Sequence, residues 1–129
     1  MTDALPPISD QTPASHTCPD RRRRLPDRRL HVSFPVEHEG QRFTATVGFH
    51  EDGQIGEVFC AAARLSSAVE SLARDAAILI SLGLQFGADL HTMRHAVTRG
   101  EAGEPATHAG ALLDAIAEKY PEGGYDRRG

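Results

Sequence analysis

The sequence predicts an α+β fold: a three-stranded antiparallel meander over about residues 30–61, covered by a long helix at about 67–87 and two further helices at about 90–99 and 106–120. Two periodicities carry this reading. Apolar residues alternate with polar ones from Leu30 to Ala61, the two-residue period of a half-buried strand. From Ser67 onward they recur at i, i+3, i+4 and i+7, the spacing of one helix face. Asp52-Gly53, between two alternating runs, is a strong hairpin signal.

Leu30, Val32, Phe34 and Val36 alternate with His31, Ser33, Pro35 and Glu37, which predicts a first strand with one buried face. Pro35 cannot donate a ladder hydrogen bond, so that strand belongs at a sheet edge. His38-Glu39-Gly40-Gln41 is the first turn, and Phe43, Ala45, Val47 and Phe49 share one face of the second strand. Ile55–Ala61 makes the third. Such a meander is marginal alone and needs a helical cover. Ser67 and Glu70 have capping-box spacing at the start of that cover. Val69, Leu72, Ala73, Ala76, Leu79, Ile80 and Gly83 form its stripe, widened by Ile78, Leu82 and Leu84, which predicts the most buried helix of the domain. Gly87 suits a left-handed stop. Asp89 caps a short helix through Leu90, Met93, Ala96 and Val97. Ala109, Leu112, Leu113, Ile116, Ala117 and Tyr120 mark the last one, ended by Pro121 and Gly123-Gly124.

Residues 1–24 are rich in Pro, Ser, Thr and Asp and cannot repay the entropy of ordering, so they read as a disordered tail ending in four arginines. Residues 25–120 form the single domain, and 121–129 read as frayed. The whole chain, 129 residues with 40% hydrophobic and 25% charged, suits one domain that needs no disulfide or metal. Its net charge of −4 supplies no global attraction to nucleic acid or anionic membrane. The distribution is uneven, because residues 1–29 hold six arginines against four aspartates. The start lacks a charged and apolar leader, no run is long enough to span a bilayer, and a reducing cytoplasm is the expected location.

Few side chains suggest chemistry. Cys18 and Cys60 lie far apart in sequence, whereas redox exchange needs a close pair, so Cys60 reads as a small apolar residue. His91 and His95 share a helix face, but a zinc site needs more ligands than they offer. Ser81 and Gln85 place polar groups on an apolar helix and require hydrogen-bond partners, either inside the fold or on a partner molecule. Glu57 is either exposed or paired with Arg28 or Arg29. Arg21, Arg22, Arg23, Arg24, Arg28 and Arg29 are the one strongly charged feature. They form a candidate phosphate or nucleic-acid contact of the counterion-releasing kind, with no interleaved aromatic residues for base stacking.

Three runs carry a family resemblance: Leu25-Pro26-Asp27-Arg28-Arg29, then Asp52-Gly53-Gln54-Ile55-Gly56-Glu57-Val58-Phe59, then Ile80-Ser81-Leu82-Gly83-Leu84-Gln85-Phe86-Gly87. In order and spacing they resemble the TSCPD-type domain that follows the catalytic barrel in class II, adenosylcobalamin-dependent ribonucleotide reductases. The resemblance covers about residues 21–120. It marks Asp52, Gly53, Gly56, Glu57, Ser81, Gly83, Gln85 and Gly87 as family-motif residues. Thr17-Cys18-Pro19-Asp20 partly echoes the domain's letters but precedes the expected fold. The resemblance implies an accessory or regulatory role in deoxyribonucleotide synthesis, exerted by contact with a protein partner such as a reductase. The Arg segment and the Gly56–Phe59 edge are the candidate surfaces. Adenosylcobalamin belongs to the full-length enzyme and is not expected on this chain, which is too small to form the radical-bearing barrel and is not expected to be catalytic alone. The alternative is a nucleic-acid or phosphate-binding module using the Arg-rich arm.

Overall fold

The computed structural model describes residues 21–62 and 67–125. Cys18 and most of the expected tail lie outside the described residues. Three strands, β1 (His31–His38), β2 (Gln41–Phe49) and β3 (Ile55–Ala61), precede three helices, α1 (Ser67–Gln85), α2 (Leu90–Ala96) and α3 (His108–Lys119). The sheet is antiparallel in the order β1-β2-β3, which puts Pro35 on an edge strand. Both residues of the β1–β2 turn, Glu39 (φ 53°) and Gly40 (φ 78°), are left-handed, matching the twist that a two-residue hairpin needs.

One face of the sheet builds the core. Val36, Phe43, Ala45, Val47, Phe49 and Val58 are buried there, as the alternation predicts, while Leu30 lies outside the strand and is exposed. The covering helix is α3: Leu112, Leu113 and Ile116 are almost wholly inaccessible, and each buried side chain of that size contributes about 1.5–3 kcal/mol. Its Thr107 caps the start by accepting from the Gly110 N–H. The expectation that α1 is the most buried helix is therefore corrected.

The reason is where α1 lies. It packs on β3, the edge opposite β1, and presents small side chains there. Ala73, Ala77 and Ile80 are buried, whereas Leu72, Ile78 and Leu79 are exposed. The predicted stripe merged two faces, because apolar residues occupy most of the circumference. The Ser67 side chain of the expected capping box lies outside the described residues, and Glu70 pairs with Arg74 one turn on.

Beyond α1 the predicted stops hold in kind. Gly87 (φ 101°) closes a Schellman motif, its N–H donating to Leu84 O and that of Ala88 to Gly83 O. Asp89 caps α2 by accepting from Thr92 N, and α2 ends earlier than expected, at Ala96. Asp114 on α3 ties that region together: it takes a two-point contact from Arg99 and a third bond from Arg94, each at 2.7 Å. No helix is long and apolar enough to cross a membrane among the described residues.

Candidate functional site

The family-motif residues converge at one end of the sheet, where the β2–β3 turn, the end of α1, the Arg segment and residues 122–125 meet. Asp52 organises the turn. Its carboxylate accepts from the Gln54 N–H at 3.0 Å and pairs with Arg23 at 2.9 Å. That backbone hydrogen bond, helped by Arg23, holds the Asp52 carboxyl below the usual range. Gly53 (φ 91°) is buried, and its carbonyl accepts from Tyr125 N. Gly123 O likewise accepts from Ile55 N. Residues 123–125 are thus bound to the turn, and 126–129 lie outside the described residues.

Ser81 and Gln85 find their partners inside the fold. The Val58 N–H donates to Ser81 Oγ at 2.7 Å, and that hydroxyl faces Val58 O and Ala77 O at about hydrogen-bond distance. Gln85, 4% exposed, donates from Nε2 to Gly56 O at 2.8 Å. The side chains of α1 therefore satisfy the backbone of β3 along its outer edge, where an unpaired strand would invite another chain. The Gly56–Phe59 edge expected as a contact surface is closed by this pairing; Phe59 alone remains exposed, on the open face of the sheet.

Gln85 also holds the Arg segment. Its Oε1 accepts from Arg22 Nε, and its backbone carbonyl accepts from Arg23 N at 2.7 Å. Arg23 adds a bond to Gln54 Oε1 at 2.9 Å. Arg22 and Arg23 are thus anchored in the fold rather than belonging to a free tail. Arg29 donates to the Pro26 carbonyl and to Glu57 at 2.6 Å, the pairing expected for Glu57. His31 joins the same carboxylate at 2.7 Å. Gly48, opposite both, has no room for a Cβ, which would lie 2.5 Å from Glu57 Oε2. Arg21, Arg24 and Arg28 are exposed and carry no ion pair among the described residues.

His50, which the sequence reading passed over, sits beneath this segment. It is 4% exposed, and its ring occupies the space that a Cβ on Gly56 would need. Burial, then the nearby Arg23, lowers its pKa from the usual imidazole range, which favours the neutral ring. Only the Gly at position 56 hinted at a bulky neighbour. Gly83 is similarly close-packed, against the Met93 sulfur.

Arg21, Arg23, Gln54, Gln85, Asp89 and Glu122 are among the residues lining a cleft of about 420 Å³. That volume suits a drug-sized molecule. A corrinoid is far larger, and every buried side-chain polar atom among the described residues is already bonded, so the residues do not fit that group. No cluster of three metal-ligating side chains occurs among the described residues. His91 and His95 bond to the backbone, His91 to the Pro121 carbonyl and His95 to the His91 carbonyl, and His95 is exposed. Burial raises the Cys60 thiol above its ordinary range, which makes it a poor nucleophile.

The class defined so far is an α+β domain whose motif residues hold one end of the meander closed. No family model matches the chain, and no solved structure matches it. Over 69 residues, 54% of this chain, it is 33% identical to a vitamin B12-dependent ribonucleotide reductase of Bradyrhizobium diazoefficiens (strain JCM 10833 / BCRC 13528 / IAM 13628 / NBRC 14792 / USDA 110). The match spans 6% of that enzyme's length. The similarity supports relatedness to these reductases.

Proposed function

We propose that this chain is a ribonucleotide-reductase-related accessory domain, specifically of the TSCPD type, that serves deoxyribonucleotide synthesis by contact with a reductase and has no turnover of its own. The observation that carries the reading is the 33% identity to a B12-dependent reductase over a segment amounting to 6% of the enzyme. The chemistry agrees with it. Asp52, Glu57, Ser81 and Gln85 are all engaged in turn, ion-pair or edge contacts, which leaves them architectural roles. Surfaces left for a partner include the guanidinium groups of Arg21, Arg24 and Arg28 and the open sheet face around Phe59.

The test uses the full chain as immobilised bait for a purified B12-dependent reductase, with turnover measured alongside. The expected result is saturable capture, weakened when Arg21, Arg24 and Arg28 are changed together to Ala. The chain incubated alone with ribonucleotide, cobalamin and thiol should form no product. Absence of capture across the micromolar range, or product from the chain alone, overturns the proposal.

A second reading rests on the same three unpaired arginines: a phosphate contact to nucleic acid. Log affinity for duplex DNA falls against log salt with a slope near −0.9 per neutralised phosphate. Three available arginines predict a slope of about −3, whereas a free arm engaging all six would give about −5. A slope near zero, or no binding at low salt, dismisses this reading.

A further inference from the structure

The side of α1 turned away from the core carries Leu72 and Leu79, and Phe86, the residue just past its end, continues their line. Seven residues apart, they stand in line two turns from one another, the spacing of a helix-pairing seam. Leu72 is 71% exposed, Leu79 66% and Phe86 41%, and Ile78 widens the strip at 51%. Single exposed leucines are ordinary, but three large apolar side chains on one helix and a fourth just past its end form a patch of the kind that marks a contact surface.

One charge lies within this seam and another beside its end. Asp75, one turn beyond Leu72, is exposed and has no ion pair among the described residues. At the other end Arg21 lines the cleft together with Phe86 and is equally unpaired. We infer that two copies of this chain pair through the seam, with their α1 helices antiparallel and crossing at Leu79. Leu79 then meets Leu79 on the two-fold axis, and Leu72 of each copy lies against Phe86 of the other. Asp75 falls opposite position 83, about one helical turn from Phe86 and within reach of the other copy's Arg21. The two-fold makes every contact occur twice. Parallel pairing would instead set Asp75 beside Asp75. Asp75 of each copy thus has Arg21 of the other as a complementary charge. The buried area is small for a permanent dimer, so pairing in the micromolar range is expected.

This inference does not rest on the reductase reading, although both use Arg21, and it is tested without a reductase. Sedimentation of the full chain over a concentration series up to about 200 μM should show a reversible monomer–dimer equilibrium. Leu79→Glu should weaken it at least about tenfold. Because Leu79 is exposed, that variant should keep the parent's circular dichroism and thermal midpoint. Asp75→Arg should also weaken pairing, and adding Arg21→Asp in the same chain should restore it. A monomer mass at every concentration overturns the inference, as does a dimer indifferent to Leu79→Glu. Failure of the double charge swap to restore pairing overturns the antiparallel arrangement.

Discussion

At the scale of single residues, Gln85 makes the most consequential set of contacts. Its side-chain amide and backbone carbonyl tie two segments to α1: the Arg segment, with Arg22 on Oε1 and Arg23 N on the backbone carbonyl, and β3 through Nε2. Gln85→Leu keeps the helix but leaves Gly56 O, in a buried strand residue, without its donor. Stability should fall by about 1–3 kcal/mol, read as a lower denaturant midpoint at unchanged slope. Gln85→Glu should do no better, because an acceptor then faces the Gly56 carbonyl. The demand for partners at Ser81 and Gln85 was legible in the sequence, since polar groups on an apolar helix must be satisfied. That the partner is a strand edge was not, because periodicity reports which face is buried and says nothing of whether a helix covers a sheet's face or its side.

Asp114 is the residue that makes stability depend on acid. Hydrogen bonds from Arg99, and after them from Arg94, hold its carboxyl below the usual range. The folded state therefore binds this proton less readily than the unfolded chain. Its contribution is complete above the unfolded carboxyl's pKa near 4 and is lost as pH falls through the lower folded value. His50 acts in the same sense at higher pH: its lowered pKa favours the fold above about 6.5 and opposes it as the pH drops below. Unfolding curves should shift to lower denaturant between about pH 6.5 and 3, and Asp114→Asn should flatten the most acidic part of that shift. An unchanged acid profile in this variant would remove Asp114 from the explanation.

At the scale of elements, the strands were the most legible part. Their two-residue alternation, Pro35 and Asp52-Gly53 place all three within a residue or two of the observed bounds. The helices were legible as helices but not in rank. In α1, Leu72 and Leu79 outweigh Ala73 and Ala77 in any hydrophobic reading, yet β3 lies too close for large side chains and selects the alanines. The Arg segment was the least legible element, because its composition is that of a solvated linker. Its order comes from Gln85 and Asp52, each more than twenty residues away in sequence. Removing residues 1–24 should therefore destabilise the domain relative to removing 1–20. The difference isolates Arg22 and Arg23, and a loss of about 1–2 kcal/mol, or several degrees in midpoint, is expected. Equal midpoints for the two truncations would restore the reading of Arg21–Arg24 as a free arm.

At the scale of the whole molecule, the sheet has one face packed under α3 and one open, and its β3 edge is sealed by α1. The residues that carry the family resemblance are concentrated in that seal: Asp52 and Gly53 shape the turn, Gly56 gives way to His50, and Ser81 and Gln85 close the edge. Amide hydrogen exchange of the full chain at neutral pH tests this arrangement most directly. With Gln85 clasping the Arg segment and Ser81 sealing β3, the Arg23 and Val58 amides should both exchange far more slowly than in an unfolded peptide, and Gln85→Leu, which loses the bond to Arg22 but keeps the backbone carbonyl that accepts from Arg23, should speed Arg23 exchange only in part. Exchange of both at the unfolded rate in the parent chain would contradict the account.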